Sequence, residues 1–156
     1  MTTEIQSIHE KWMLEAIRLA EIAFEKDEIP VGAIVVNENK IIGRGYNQRE
    51  ILKDPTAHAE VLAITAAANT IGDWRLNDCT LYVTKEPCAM CTGAIINSRI
   101  NSVIFGCYDA EHGYCGSIAD LCSDPRLKKG ITVRGGINED RCLALIQDFF
   151  KTKRKL

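Results

Sequence analysis

The stretch from Thr80 to Gly106 constrains the fold of this 156-residue chain more than any other. Thr80-Leu81-Tyr82-Val83-Thr84 is a β-rich run, the residues after Pro87 up to about Ser98 read as a helix, and Ser102 to Gly106 is a second β-rich run. Strand, helix and strand in that order imply parallel pairing with a right-handed crossover. Open α/β sheets gather their ligands at the carboxyl ends of strands, and that is where Cys88 and Cys91 stand. Three residues apart, the two thiols face the same side of a helix start. Pro87 suits the first helical position, where a missing N–H costs nothing. A helix N-terminus also lowers thiol pKa values and helps deliver both sulfurs as thiolates.

A second stretch supplies the complementary groups. Asp54-Pro55-Thr56 is a turn signal, and His58 and Glu60 follow it at the start of an Ala-rich helical run that reaches Asn69 and ends at Gly72-Asp73. Two residues apart, they sit about 200° from each other on an ideal helix, so they converge only where the chain is still entering the helix. By itself, a Cys-x-x-Cys can be a redox pair and a single His a surface or core residue. Together, one imidazole, two thiols and a spare carboxylate form the donor set of a catalytic zinc centre, with three protein ligands and a fourth position left open. A closed structural site would need a fourth ligand from Cys79, Cys107, Cys115 or Cys122, and none of these stands in a second paired motif.

Elsewhere Met13, Ile17, Ala20 and Phe24, widened by Trp12 and Leu19, give Ser7 to Lys26 the period of an amphipathic helix, with His9 on its surface. Val31 to Val36 and Ile41 to Tyr46 read as a hairpin around Asn37-Glu38-Asn39-Lys40. Asn47 ends the second strand, a place where Asn is commonly a turn residue. Cys107 to Asp124 is the least regular part, and loops of that length are often binding loops. Ile131 to Arg134 is a last strand. Asn138 then caps a final helix with Cys142, Leu145, Ile146, Phe149 and Phe150 on one face, both phenylalanines read as core. The basic end, Lys151, Lys153, Arg154 and Lys155, either faces water and complements the helix dipole or contacts phosphates.

The length fits a single domain over residues 1–156. No apolar run approaches the roughly 20 residues of a membrane span. Met1 to Glu10 lacks a signal-peptide core, and seven cysteines, an odd number, fit reduced thiols in the cytoplasm better than a disulfide framework. A net charge of −2 excludes broad polyanion binding and leaves nucleic-acid contact to a local basic patch.

His58-Ala59-Glu60 followed by Pro87-Cys88-Ala89-Met90-Cys91 resembles the signature of the zinc-dependent nucleoside deaminases. Pro30 to Ala33, Gly45-Tyr46-Asn47, Asp54 to Glu60, Thr80 to Thr84, Ser98-Arg99-Ile100, Phe105-Gly106, Gly116-Ser117 and Phe149-Phe150 carry the resemblance, in order, to the bacterial tRNA wobble-adenosine deaminases. The resemblance implies an α/β fold, a three-layer α/β/α sandwich with a five-stranded mixed sheet of the cytidine deaminase kind. It implies one zinc ion per subunit on His58, Cys88 and Cys91, with Glu60 as the catalytic proton carrier. For substrate it implies Asn47 at the edge of the base, with Val31, Asp109 and Ser117 as further contacts, although Asp109 and Ser117 also suit turn or capping roles. The implied reaction is hydrolytic deamination of adenosine to inosine in the anticodon stem-loop of a tRNA, arginine tRNA being the expected one, by a homodimer. Lys85, Cys107, Tyr108, Tyr114 and Cys115 depart from the family pattern and bear on substrate selection. Two rivals share parts of the pattern: a free-base or nucleotide deaminase, and a non-catalytic zinc module, which would lack the carboxylate that Glu60 provides.

Overall fold

The computed structural model describes residues 2–127 and 130–154. They run through α1 (Thr2–Glu25), β1 (Gly32–Asn37), β2 (Lys40–Tyr46), the short α2 (Arg49–Leu52), α3 (Ala59–Ile71), β3 (Thr80–Lys85), α4 (Ala89–Asn97), β4 (Ser102–Cys107), β5 (Thr132–Arg134) and α5 (Glu139–Arg154). Side chains alternate across the pleat with a period of two. Ala33, Val35, Leu81, Val83, Val103 and Phe105 therefore share one face of the sheet, where they bury Ala59, Ala63 and Ala67 of α3 and Ile95 of α4. Ile34, Val36, Tyr82 and Ile104 share the other, against Trp12, Met13, Ala16 and Ile17 of α1 and Cys142 of α5, and Cys107, at the end of β4, joins that second cluster. The result is the expected α/β/α sandwich. Both faces of the middle strands are covered, so these strands read as continuous apolar runs.

The sheet order is β2-β1-β3-β4-β5. β1 is antiparallel to β2 and β3, whereas β3, β4 and β5 are parallel, with α4 as the crossover from β3 to β4. The hairpin closes through Glu38 and Asn39, both left-handed at φ 49° and 61°, as a two-residue type I′ turn requires. On β2, Gly43 and Gly45 let α3 lie directly on the strand: a Cβ at Gly45 would stand 2.4 Å from the Ala59 carbonyl oxygen. Gly72, at φ 73°, ends α3 as a left-handed C-cap.

Several expectations are corrected. α1 begins at Thr2 rather than Ser7, about a turn and a half earlier than its apolar stripe. His9 is not a free surface residue; its Nδ1 lies 2.9 Å from the Tyr82 hydroxyl, and the side chain is half-buried. Pro87 stands two places before Ala89, the first residue of α4, rather than at that position. Asn138, by contrast, does stand at the head of α5 as expected, its carbonyl accepting from the Cys142 N–H at 3.1 Å, in a left-handed conformation, φ 53°, that Asn tolerates. Phe149 is core at 6% exposure, but Phe150 is 41% exposed and is no core residue. In the basic tail, Lys153 pairs with Asp27, while Lys155 lies outside the described residues. No helix among the described residues is long and apolar enough to cross a membrane.

Candidate active site

Two helix starts converge beneath a cavity of 660 Å³. His58 is the N-cap of α3, with extended backbone (φ −76°, ψ 152°), and Glu60 is the second helical residue. Cys88 occupies the same N-cap position on α4 (φ −76°, ψ 179°), one helical turn before Cys91. The approach to His58 is fixed by Asp54, whose Oδ1 accepts from the Thr56 N–H at 2.8 Å and its hydroxyl at 2.7 Å. The extended N-cap breaks the helical phase between His58 and Glu60, so both side chains reach the same cavity.

The His58 Nδ1 lies 3.6 Å from the Cys88 Sγ and 3.4 Å from the Cys91 Sγ. Among the described residues these three are the group whose ligand atoms all lie close enough together to hold a metal ion. Tetrahedral zinc, with Zn–S near 2.3 Å and Zn–N near 2.0 Å, separates its nitrogen and sulfur ligands by about 3.5 Å. The observed nitrogen–sulfur distances bracket that value, so the imidazole stands at zinc-ligand spacing from both thiols. Their proton inventory points the same way. A hydrogen bond from Cys91 drives the Cys88 thiol down to about 3, against burial and with help from His58. The Cys91 thiol is pushed far up by donating that bond, and burial adds to the effect. His58 is raised chiefly by its hydrogen bond to Cys88, with burial opposing. The imidazole and the two thiols thus lean on one another, and a dication can replace those mutual contacts, since metal ligands must shed their protons.

Glu60 is 4% exposed, and burial raises its carboxyl pKa, with the negative Cys88 adding to the rise. A carboxyl poised by burial beside a metal-ligand set is suited to moving protons near neutral pH. Asn47 is 6% exposed; its Nδ2 donates to the Ile29 carbonyl at 3.3 Å and its Oδ1 accepts from the Arg49 N–H at 3.3 Å. A carboxamide has two donors and two lone pairs, so one of each is left to face the cavity that Asn47 lines. Val31 and Asp109 line it too.

Ser117 is elsewhere. Its N–H and hydroxyl both go to Glu86, at 3.0 and 2.5 Å, and it does not line the cavity. Glu86, 3% exposed, also accepts from the N–H groups of Asp109 at 3.0 Å and Cys115 at 3.1 Å. One carboxyl group therefore gathers the irregular 107–117 segment against the residue before Pro87. The sequence reading missed Glu86, and it missed Glu28, whose two oxygens accept from Glu50 and Ile51 at the start of α2. Neither position carries a signal distinguishing a buried carboxylate from a solvated one. Also missed were the cavity walls: Arg49 on one side, and Leu143, Ile146 and Phe150 of α5 on the other. Among the family departures, Lys85, Cys107 and Tyr108 line the cavity, whereas Cys115 is buried with its Sγ 4.0 Å from that of Cys122.

Residues 7–154 match the MafB19-like deaminase family. The chain is 42% identical over 146 residues, 94% of its own length and 91% of the relative's, to the tRNA-specific adenosine deaminase of Bacillus subtilis. The chain belongs to the tRNA-specific adenosine deaminase family. Its fold superposes on a solved tRNA:A34 deaminase with a TM-score of 0.82 at 35% identity, covering 86% of this chain and 99% of that one. A guanine deaminase from Nitrosomonas europaea also superposes, with a TM-score of 0.78 at 25% identity, covering 90% and 83% of the two chains. As a member of this family the chain is an enzyme acting on C–N bonds.

Proposed function

We propose that this chain is a single zinc-dependent domain, residues 1–156, that hydrolytically deaminates adenosine to inosine at the wobble position of a tRNA anticodon. One observation carries the proposal: an imidazole and two thiols stand at zinc-ligand spacing, and of them His58 and Cys88 line a cavity together with the buried carboxyl of Glu60. The names of the relatives support adenosine and tRNA as the substrate. His58, Cys88 and Cys91 hold the ion. When bound, zinc supplies Lewis-acid activation of a water molecule at neutral pH.

The remaining work falls to the chain's own groups. Asn47 uses its free donor and acceptor to fix the edge of the purine, and Val31 and Asp109 border the base and its sugar. Glu60 takes a proton from the water as its oxygen bonds to C6 and passes that proton to ring N1; it then takes the remaining proton from the new C6 hydroxyl and delivers it to the amine, so that the C6–N6 bond breaks, C6=O forms and ammonia leaves. Its burial favours the protonated form that the last step needs. An unpaired anticodon loop presents its adenosine at little unstacking cost. Ser117 acts at one remove, by holding the mouth segment through Glu86. A cytoplasmic homodimer acting on arginine tRNA completes the proposal.

The test is to incubate the metal-analysed protein with an anticodon stem-loop, free nucleosides and free bases, follow ammonia release, and sequence the anticodon. One zinc per chain and inosine at the first anticodon position are expected. Glu60→Ala should retain zinc and lose turnover by several orders of magnitude. The likeness to a guanine deaminase supports one alternative, turnover of a free purine base. Ammonia from free guanine with none from the stem-loop would establish that alternative instead.

A further inference from the structure

Lys85 is the last residue of β3, three before Cys88, and its side chain lines the cavity. Its Nζ lies 3.0 Å from the Asp109 Oδ2, with side-chain exposures of 30% for the lysine and 11% for the aspartate. The simplest role for such a pair is to tie the mouth segment down, but Asp109 does not need the tie. Its Oδ1 accepts from the N–H groups of Glu111 and His112, both at 3.1 Å, and its own N–H donates to Glu86. Those three bonds hold Asp109 in place whether or not Lys85 is present. Lys85, by contrast, places an ammonium with three donors against one carboxylate oxygen and keeps nearly a third of its side chain in contact with solvent.

The cavity has a charge problem that Lys85 addresses. Glu60, Glu86, Asp109 and Glu111 line it, against the fixed cations Arg49 and Lys85. The proposed substrate is a polyanion, and the chain as a whole carries a net charge of −2. A purine seated over His58 and Glu60 leaves its backbone phosphates towards solvent, and Lys85 is a cavity-lining cation that itself keeps 30% of its side chain exposed.

We propose that Lys85 is a substrate-binding residue that exchanges the Asp109 carboxylate for a backbone phosphate next to the target nucleoside when RNA enters. This rests on the tRNA assignment above and adds to it a contact supplied by a residue that departs from the family pattern. The pairing with Asp109 keeps the ammonium aimed into the mouth before RNA arrives. A charged phosphate oxygen competes for it on equal terms with a carboxylate.

The experiment compares the zinc-loaded wild type with Lys85→Met and Lys85→Arg on an anticodon stem-loop, measuring kcat and KM from low to moderate salt. Lys85→Met should raise KM about tenfold, the scale of a lost charge-assisted hydrogen bond, with kcat little changed. The slope of log(kcat/KM) against log[salt] should become shallower by about 0.7, the contribution of one single-strand phosphate contact. Lys85→Arg should keep the wild-type slope. The decisive arm uses stem-loops in which the phosphate on the 5′ or the 3′ side of the adenosine is a neutral methylphosphonate. With one of these, wild type and Lys85→Met should become equal. If Lys85 only tethers the mouth, Lys85→Met loses the same factor on every RNA and keeps the wild-type slope, and that result overturns the proposal. A wild type that turns over no stem-loop fails the tRNA assignment itself, an outcome distinct from an active enzyme indifferent to Lys85.

Discussion

Gly45→Ala should separate the chemistry from its support. The added Cβ would stand 2.4 Å from the Ala59 carbonyl oxygen and 2.7 Å from the Ala63 N–H nitrogen, both backbone atoms that cannot rotate away. Ordinary van der Waals contact begins at 3.4 Å, so the first turn of α3 must retreat by about 1 Å. Overpacking of this kind costs about 1–3 kcal/mol, and a rigid backbone neighbour places the change in the upper half of that range. For a chain of this size each kcal/mol lowers Tm by about 2–4 °C, giving a loss of about 4–12 °C. The retreating turn carries His58 and Glu60 with it, and a misplacement of about 1 Å at reacting groups costs about 100-fold in rate. Gly93→Ala is the matched control: it lies inside α4 with nothing within 4 Å of the added methyl group, and should gain about 0.5–1 kcal/mol. Calorimetry, zinc content and kcat read the two variants together. A Gly45→Ala protein with wild-type Tm and wild-type kcat would show that α3 does not rest on the β2 backbone, and the reasoning would fail.

Other expected outcomes follow from the same contacts. Glu86→Gln turns one oxygen into an N–H₂ donor facing N–H groups, which should cost about 1–3 kcal/mol and expose residues 109–117 to limited proteolysis, visible as new cleavage products. Burial, and then the charge of Arg134, lowers the pKa of His9 from its ordinary 6.5, so the folded protein binds fewer protons there than the unfolded chain. The resulting stability is present above pH 6.5 and is lost as pH falls towards the depressed folded value. Wild-type Tm should therefore fall more steeply than that of His9→Gln between about pH 7.5 and 5.5. Parallel Tm profiles for the two proteins would remove His9 as a source of acid sensitivity.

The sequence made the site floor legible because its signals are local. His58 and Glu60 are out of phase on a helix, which forced the expectation of an entering chain, and the extended N-cap at His58 is how the chain meets it. The layers were legible only through the family resemblance, since a run such as Ile34-Val35-Val36, apolar at every position, does not say which residue meets which helix layer. Phe150 shows where such signals stop. It continues the apolar stripe four residues after Ile146, and periodicity reads the wall of a cavity as it reads a core. His9 was misread because its partner, Tyr82, is 73 residues away, and no local pattern reports such a contact. The buried carboxylates Glu28 and Glu86 were invisible because, the Ser117 hydroxyl apart, the donors they meet at Glu50, Ile51, Asp109, Cys115 and Ser117 are distant backbone N–H groups, which carry no residue identity.

Deaminases of this kind can diverge around the cavity because of how Glu86 holds its neighbouring segment. Glu86 recognises the 109–117 segment mainly by its main chain, which every residue except proline supplies equally well. Side chains at 110, 111, 112 and 114 can therefore be exchanged while the segment keeps its path. Gly113 is the exception, because a Cβ there would come within 2.4 Å of all three atoms of the Glu86 carboxyl group. Selectivity at the mouth can drift through mutation with the reactive floor insulated from it, one anchoring acid and one glycine being the cost of that freedom.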